Sequence, residues 1–90
     1  MTASKNKARM THGERQHVGR VKLLPCSVCD QPGPSEAHEI KQGLWFTSIA
    51  LCASCHRGDR QGIHGEKITW RIMKMEEIDA LNITIKRLFS

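Results

Sequence analysis

Cys26-Ser27-Val28-Cys29 and Cys52-Ala53-Ser54-Cys55-His56 contain two Cys-x-x-Cys pairs separated by 22 residues, and their reading decides the fold. Each pair sits in a tight turn that offers two sulfurs about a metal's width apart. Four thiolates form a donor set that selects tetrahedral zinc, and a filled tetrahedron leaves no open position for catalysis. The expected role is structural: zinc ties the first knuckle to the start of a helix at residues 52–57 and encloses what lies between them. An iron site and a redox dithiol are the competing readings. The flanks lack the strand-to-helix pattern of a thioredoxin-like dithiol.

The rest of the composition explains why such a staple is needed. Ninety residues make one domain that buries only about 60–65% of its unfolded surface, which excludes a large enzyme fold. With 39% hydrophobic and 4% aromatic residues, there is enough for a small core but not one that is obviously self-sufficient. No apolar run approaches the ~18–20 residues of a membrane span, and no apolar stretch follows the first basic residues as in a signal peptide. A cytoplasmic location is expected, and in that reducing setting paired cysteines bind metal rather than form disulfides.

The net charge of +5 is unevenly placed. Residues 1–22 carry Lys5, Lys7, Arg9, Arg15, Arg20 and Lys22 against Glu14 alone, whereas the remaining residues hold equal numbers of basic and acidic side chains. A basic arm on a neutral body suits a polyanionic partner, because each Lys or Arg set on a phosphate releases counterions. These six residues are the candidate DNA contacts. The chain therefore divides into residues 1–23, a basic arm with a short helix, and residues 24–90, the functional domain.

Residues 1–10 lack apolar periodicity and are expected to be flexible. Thr11-His12-Gly13-Glu14 reads as a capping box that starts a helix running to about Leu23, with Val18 and Val21 inward and Pro25 ending it. Glu36–Ile40 is a candidate strand, Lys41-Gln42-Gly43 a turn, and Trp45–Leu51 a second strand rich in aromatic and β-branched residues. The helix beginning at Cys52 ends at Gly58. A loop through Gly62-Ile63-His64-Gly65 follows, then a helix around Thr69–Met75. Ile78, Leu81, Ile85 and Leu88 recur at helical spacing and predict an amphipathic C-terminal helix that packs on the body. Trp45 and Trp70 read as packing anchors. The whole is a small α+β chain.

The histidines carry the chemistry. His38 lies in Glu36-Ala37-His38-Glu39-Ile40 on the first strand, His56 directly follows the last cysteine, and His64 sits between glycines. A neutral imidazole suits metal ligation or proton abstraction near pH 7. His12 and His17 read as surface or hydrogen-bonded residues without a functional role.

A knuckle pair enclosing a histidine-bearing strand, followed by Leu51-Cys52-x-x-Cys55-His56, resembles the HNH endonucleases, whose fold is ββα-metal. The closer resemblance is to small phage and prophage nucleases of the Ref type, which are RecA-dependent recombination-enhancement nucleases. It runs over about residues 24–88, through Leu24-Pro25-Cys26-x-x-Cys29, Glu36–Ile40, Leu51–Gly58, Gly62–Gly65 and Glu77-x-x-Ala80-Leu81-Asn82-x-Thr84. The resemblance implies a zinc-stapled ββα-metal core, a divalent ion (Mg²⁺, Mn²⁺ or Zn²⁺) held by His38, His56 and His64, and hydrolysis of DNA phosphodiesters. It further implies a RecA filament as partner, single-stranded or displaced-loop DNA as substrate, and the cytoplasm of a bacterial host as the setting.

Two registers of the motif fit. Aligned on Ile40, His38 is a metal ligand and Glu39 occupies the base position; aligned on the histidine, His38 is the base and Ala37 leaves a ligand position empty. The middle Asn of the motif is absent, the segment reading Phe46-Thr47-Ser48, where a hydroxyl is expected to hold the loop instead. A glutamate is a weaker base than histidine at neutral pH unless burial raises its pKa. Hence the rival expectation is a catalytically degenerate zinc module that binds DNA or a recombinase.

Overall fold

The computed structural model describes residues 9–90. Lys5 and Lys7, and nearly all of the stretch expected to be flexible, lie outside the described residues. Helix α1 spans His12–Lys22 and opens with the expected capping box: Glu14 donates its backbone N–H to Thr11 Oγ1 at 3.1 Å, and Thr11 N–H donates to Glu14 Oε1 at 2.8 Å. Val18 and Val21 are buried. Leu23 N–H and Leu24 N–H close on the carbonyls of Arg20 and Val21, and Pro25 follows.

The first knuckle is a turn in which Asp30 N–H donates to Cys26 O and Cys26 N–H to Gln31 O, both at 2.9 Å. Strand β1, Glu36–Glu39, pairs antiparallel with β2, Ser48–Leu51, in the register Glu36 with Leu51 and His38 with Ile49. Opposed residues share a sheet face, so Glu36 and His38 lie on the face of Leu51 and Ile49, while Ala37 and Glu39 lie on the other.

The second strand is shorter than the sequence predicts. Trp45–Thr47 form a 3-10 turn, and only Ser48 onward is extended. The cause is local hydrogen bonding: Thr47 Oγ1 donates to Leu44 O at 2.7 Å and Ser48 Oγ to Trp45 O at 2.5 Å, which curls the chain before the ladder begins. Thr47 Oγ1 also accepts from Ile40 N–H at 3.1 Å, so a hydroxyl holds this connection, as expected.

Helix α2, Ala53–Arg57, is capped by Cys52, whose sulfur accepts from Cys55 N–H at 3.4 Å. Helix α3 covers Ile68–Ile72 rather than Thr69–Met75, because Lys74 adopts a left-handed conformation (φ 55°) that a helix cannot pass. Helix α4 spans Glu77–Leu88. Its inward face is displaced from the predicted stripe: Ala80 and Thr84 are fully buried while Ile78 is 62% exposed. Small residues let α4 lie close to β2, where Thr84 Oγ1 accepts from Ala50 N–H at 3.2 Å and pairs with Ser27 Oγ at 2.7 Å.

The described residues thus form a small α+β unit of two strands and four helices. Its core joins Cys26, Val28, Ile49, Leu51, Cys55, Trp70 and Ala80. Trp70 is the large anchor, as predicted, and its indole N–H donates to Cys55 O at 2.9 Å. Two of the seven core residues are cysteines of the knuckles, which fits a chain with few large apolar side chains.

Candidate metal centres

The fold gathers all four cysteines: one sulfur each from Cys26, Cys29, Cys52 and Cys55 lies within 4.8 Å of the others. Cys29 Sγ and Cys52 Sγ are 3.7 Å apart. A Zn–S bond of about 2.3 Å in a tetrahedron requires sulfurs about 3.8 Å apart, so the spacing suits such an ion. Val28 N–H donates to Cys26 Sγ and Cys55 N–H to Cys52 Sγ, both at 3.4 Å. Burial opposes ionisation of Cys26, but backbone N–H groups, those of Cys29, Cys52 and Val28, outweigh it and lower that thiol's pKa. Burial raises the pKa of Cys29 and of Cys55. Four thiolates this close repel one another, and a dication at their centre removes that repulsion. The cluster could hold a metal ion, and its donor set and spacing are consistent with structural zinc.

A second cluster stands on the neighbouring residue. His38, from β1, His56, from α2, and His64, from the following loop, each offer a ring nitrogen within 4.8 Å of the other two. Their ring centroids lie 4.9–5.1 Å apart. Backbone pairing explains the convergence. Ile63 N–H donates to Cys55 O at 2.8 Å and His64 N–H to His56 O at 3.2 Å, which lays the loop along α2. Glycines permit this packing: a Cβ at Gly65 would run into the carbonyl oxygens of Gly58 and Asp59, and one at Gly62 into the backbone of Gly58.

Carboxylates pin two of the three imidazoles. His38 Nε2 pairs with Glu77 Oε2 at 2.6 Å, and His56 Nδ1 with Glu36 Oε1 at 2.8 Å. Glu36 also takes a two-pronged ion pair from Arg57, at 2.7–3.0 Å. Arg57 first, and His56 second, hold the Glu36 carboxyl down to a pKa of about 2. His38 is 8% exposed, His56 half-buried and His64 exposed, so the cluster is a gradient from core to solvent. It opens into a cavity of about 420 Å³ whose wall includes Ala37, Glu39 and Gln42. The three imidazoles form a group that could hold a metal ion.

Glu39 borders this cavity but makes no hydrogen bond to the three histidines. Arg15, Arg20 and Lys22 are exposed on α1, and Arg9 is exposed just before it; no ion pair engages them among the described residues. Two residues of the histidine cluster escaped the sequence reading of the site. Glu36 had a readable signal, since it lies two residues before His38 and so on the same strand face. Glu77 stands in one of the quoted motifs, but its contact with His38 was not readable, because it spans 39 residues and depends on how α4 docks.

No family model, curated protein or solved structure matches this chain. What the fold and the two clusters define is a small α+β chain with two groups of side chains able to hold metal ions, one of thiols and one of imidazoles. No helix among the described residues is long and apolar enough to cross a membrane.

Proposed function

We propose that the chain is a zinc-stapled, metal-dependent DNA endonuclease of the HNH type, closest in kind to the Ref nucleases. One observation carries this reading: His38, His56 and His64 meet at an open cavity built by two antiparallel strands and the helix after them, the order that ββα-metal requires. Cys26, Cys29, Cys52 and Cys55 hold zinc and fix that order in space. A divalent ion at the imidazoles supplies charge neutralisation for a phosphodiester and its leaving oxygen.

The chain's own residues divide the remaining work. His38 has one nitrogen committed to Glu77, and His56 has one committed to Glu36, so each keeps a single nitrogen for ligation. His38 then has none left for a proton. Glu39 borders the cavity although its strand position is on the sheet face opposite His38, and as the base of the register aligned on Ile40 it would take the proton of the attacking water from the cavity's edge. The exposed cations of α1 and the arm hold the DNA backbone. A RecA filament is the partner and single-stranded or displaced-loop DNA the substrate under this reading, which rests there on resemblance alone.

The test is nicking of single- and double-stranded DNA with Mg²⁺ or Mn²⁺, with and without an ATP-bound RecA filament. Wild-type protein is expected to cleave, Glu39→Ala to be slower by about 10²–10⁴-fold, and His64→Ala to lose metal-dependent cleavage. Wild-type protein that binds DNA but stays inert under every condition overturns the enzyme reading. It would leave the degenerate binding module, which the Phe46-Thr47-Ser48 segment favours.

A further inference from the structure

We infer that Glu77 is a positioning residue of the histidine cluster: it accepts the Nε2–H of His38 and thereby keeps Nδ1 unprotonated for an ion. The inference rests on the metal reading of the three histidines given above. The geometry is specific. Glu77 Oε2 lies 2.6 Å from His38 Nε2, with the two side chains 33% and 10% exposed. Glu77 itself is not part of the three-imidazole group, so it acts on the cluster through His38.

Three features argue for a built device rather than a chance contact. First, it has a counterpart. Glu36 holds His56 by the other nitrogen, Nδ1, so two imidazoles from different elements are each oriented by a carboxylate. An imidazole ligand that donates its second N–H to a carboxylate has its tautomer and ring direction fixed and its basicity raised. Second, Glu77 is the acidic residue of its turn left for this task. Glu76 and Asp79 form the capping box of α4, in which Glu76 N–H donates to Asp79 Oδ2 at 2.8 Å. Third, the helix that carries Glu77 is fixed at its other end. Arg87 donates to the Cys26 carbonyl at 3.3 Å and to Asp30 Oδ1 at 2.5 Å, on the first cysteine knuckle. The position of the carboxylate is therefore set by the cysteine centre, and His38 reads that position.

The experiment uses the full chain with zinc at the cysteines and no DNA. Long-range ¹H–¹⁵N NMR reports the tautomer of His38, and Co²⁺ titration, read by its d–d absorption, reports ion affinity at the histidines. Wild type is expected to show His38 protonated at Nε2. Glu77→Ala is expected to lose that single tautomer and to bind Co²⁺ about 10–100-fold more weakly. Glu77→Gln, whose amide oxygen can accept the same N–H, is expected to recover part of both. An unchanged tautomer and affinity in a folded Glu77→Ala overturns the inference. If that variant does not fold, Glu77→Asp, which withdraws the carboxylate by one methylene, decides by the same two readouts. Wild-type protein that binds Co²⁺ in this way yet cleaves no DNA overturns the nuclease reading and leaves the role of Glu77 standing. Wild-type protein that takes up no Co²⁺ at the histidines overturns both.

Discussion

Glu36 joins the first strand to the helix that carries His56, and it does so with charge. Its carboxylate accepts from His56 and is gripped by Arg57, which lowers its pKa from 4.5 to about 2. A lowered acid pKa adds stability that is present above the ordinary value and is lost as pH falls through the folded value. Wild type is therefore expected to lose this contribution between pH 4.5 and 2, and Glu36→Gln to lack it at every pH. The side chain is a third exposed, so the effect is worth about 0.2–1 kcal/mol. Chemical denaturation of both proteins across that range checks it: a stability difference that does not shrink on acidification would refute the assignment.

At the scale of elements, α4 is the part whose packing the sequence did not reveal. Its inward contact is Thr84, whose hydroxyl meets Ser27, Ala50 and its own helix. Replacing it by the isosteric valine leaves Ser27 Oγ and Ala50 N–H buried without that partner. Thr84→Val is expected to cost about 1–3 kcal/mol, and since each kcal/mol shifts Tm by about 4–8 °C in a domain this small, thermal melting will show it. Local signals were legible. The Thr11–Glu14 box needs only four consecutive residues, and the cysteine pairs reveal themselves by spacing. Trp45–Thr47 misled because strand propensity reflects a surface to pack on, and here side-chain hydroxyls claimed the backbone first. The α4 stripe was half right: Leu81 packs against the core, but Ile78 has the right period and the wrong side, and Ala80 and Thr84 take the innermost positions. The three histidines could be grouped from sequence through their motifs, whereas Glu77 could not, since only the docked helix brings it to His38.

For the whole molecule, charge and chemistry occupy different regions. The net positive charge belongs to the first 22 residues, and the three clustered histidines, His38, His56 and His64, belong to a balanced body. If Arg15, Arg20 and Lys22 lie on phosphates, each adds about 0.9 to the slope of log affinity against log salt. Arg15→Ala and Lys22→Ala are each expected to lower that slope by about 0.9 on any DNA sequence, while His64→Ala leaves it unchanged. Fluorescence anisotropy over a salt series measures this, and an unaltered slope in the two arginine and lysine variants would remove α1 from the interface.

Cys55 and His56 are consecutive residues of a helix only five residues long. A helix so short has no stability of its own and exists because its surroundings hold it. If zinc fills the thiol cluster, its removal is expected to loosen this helix and to disturb the imidazole cluster beside it. On the proposed reading, a chain without zinc at its cysteines would lack an assembled histidine centre rather than work one slowly.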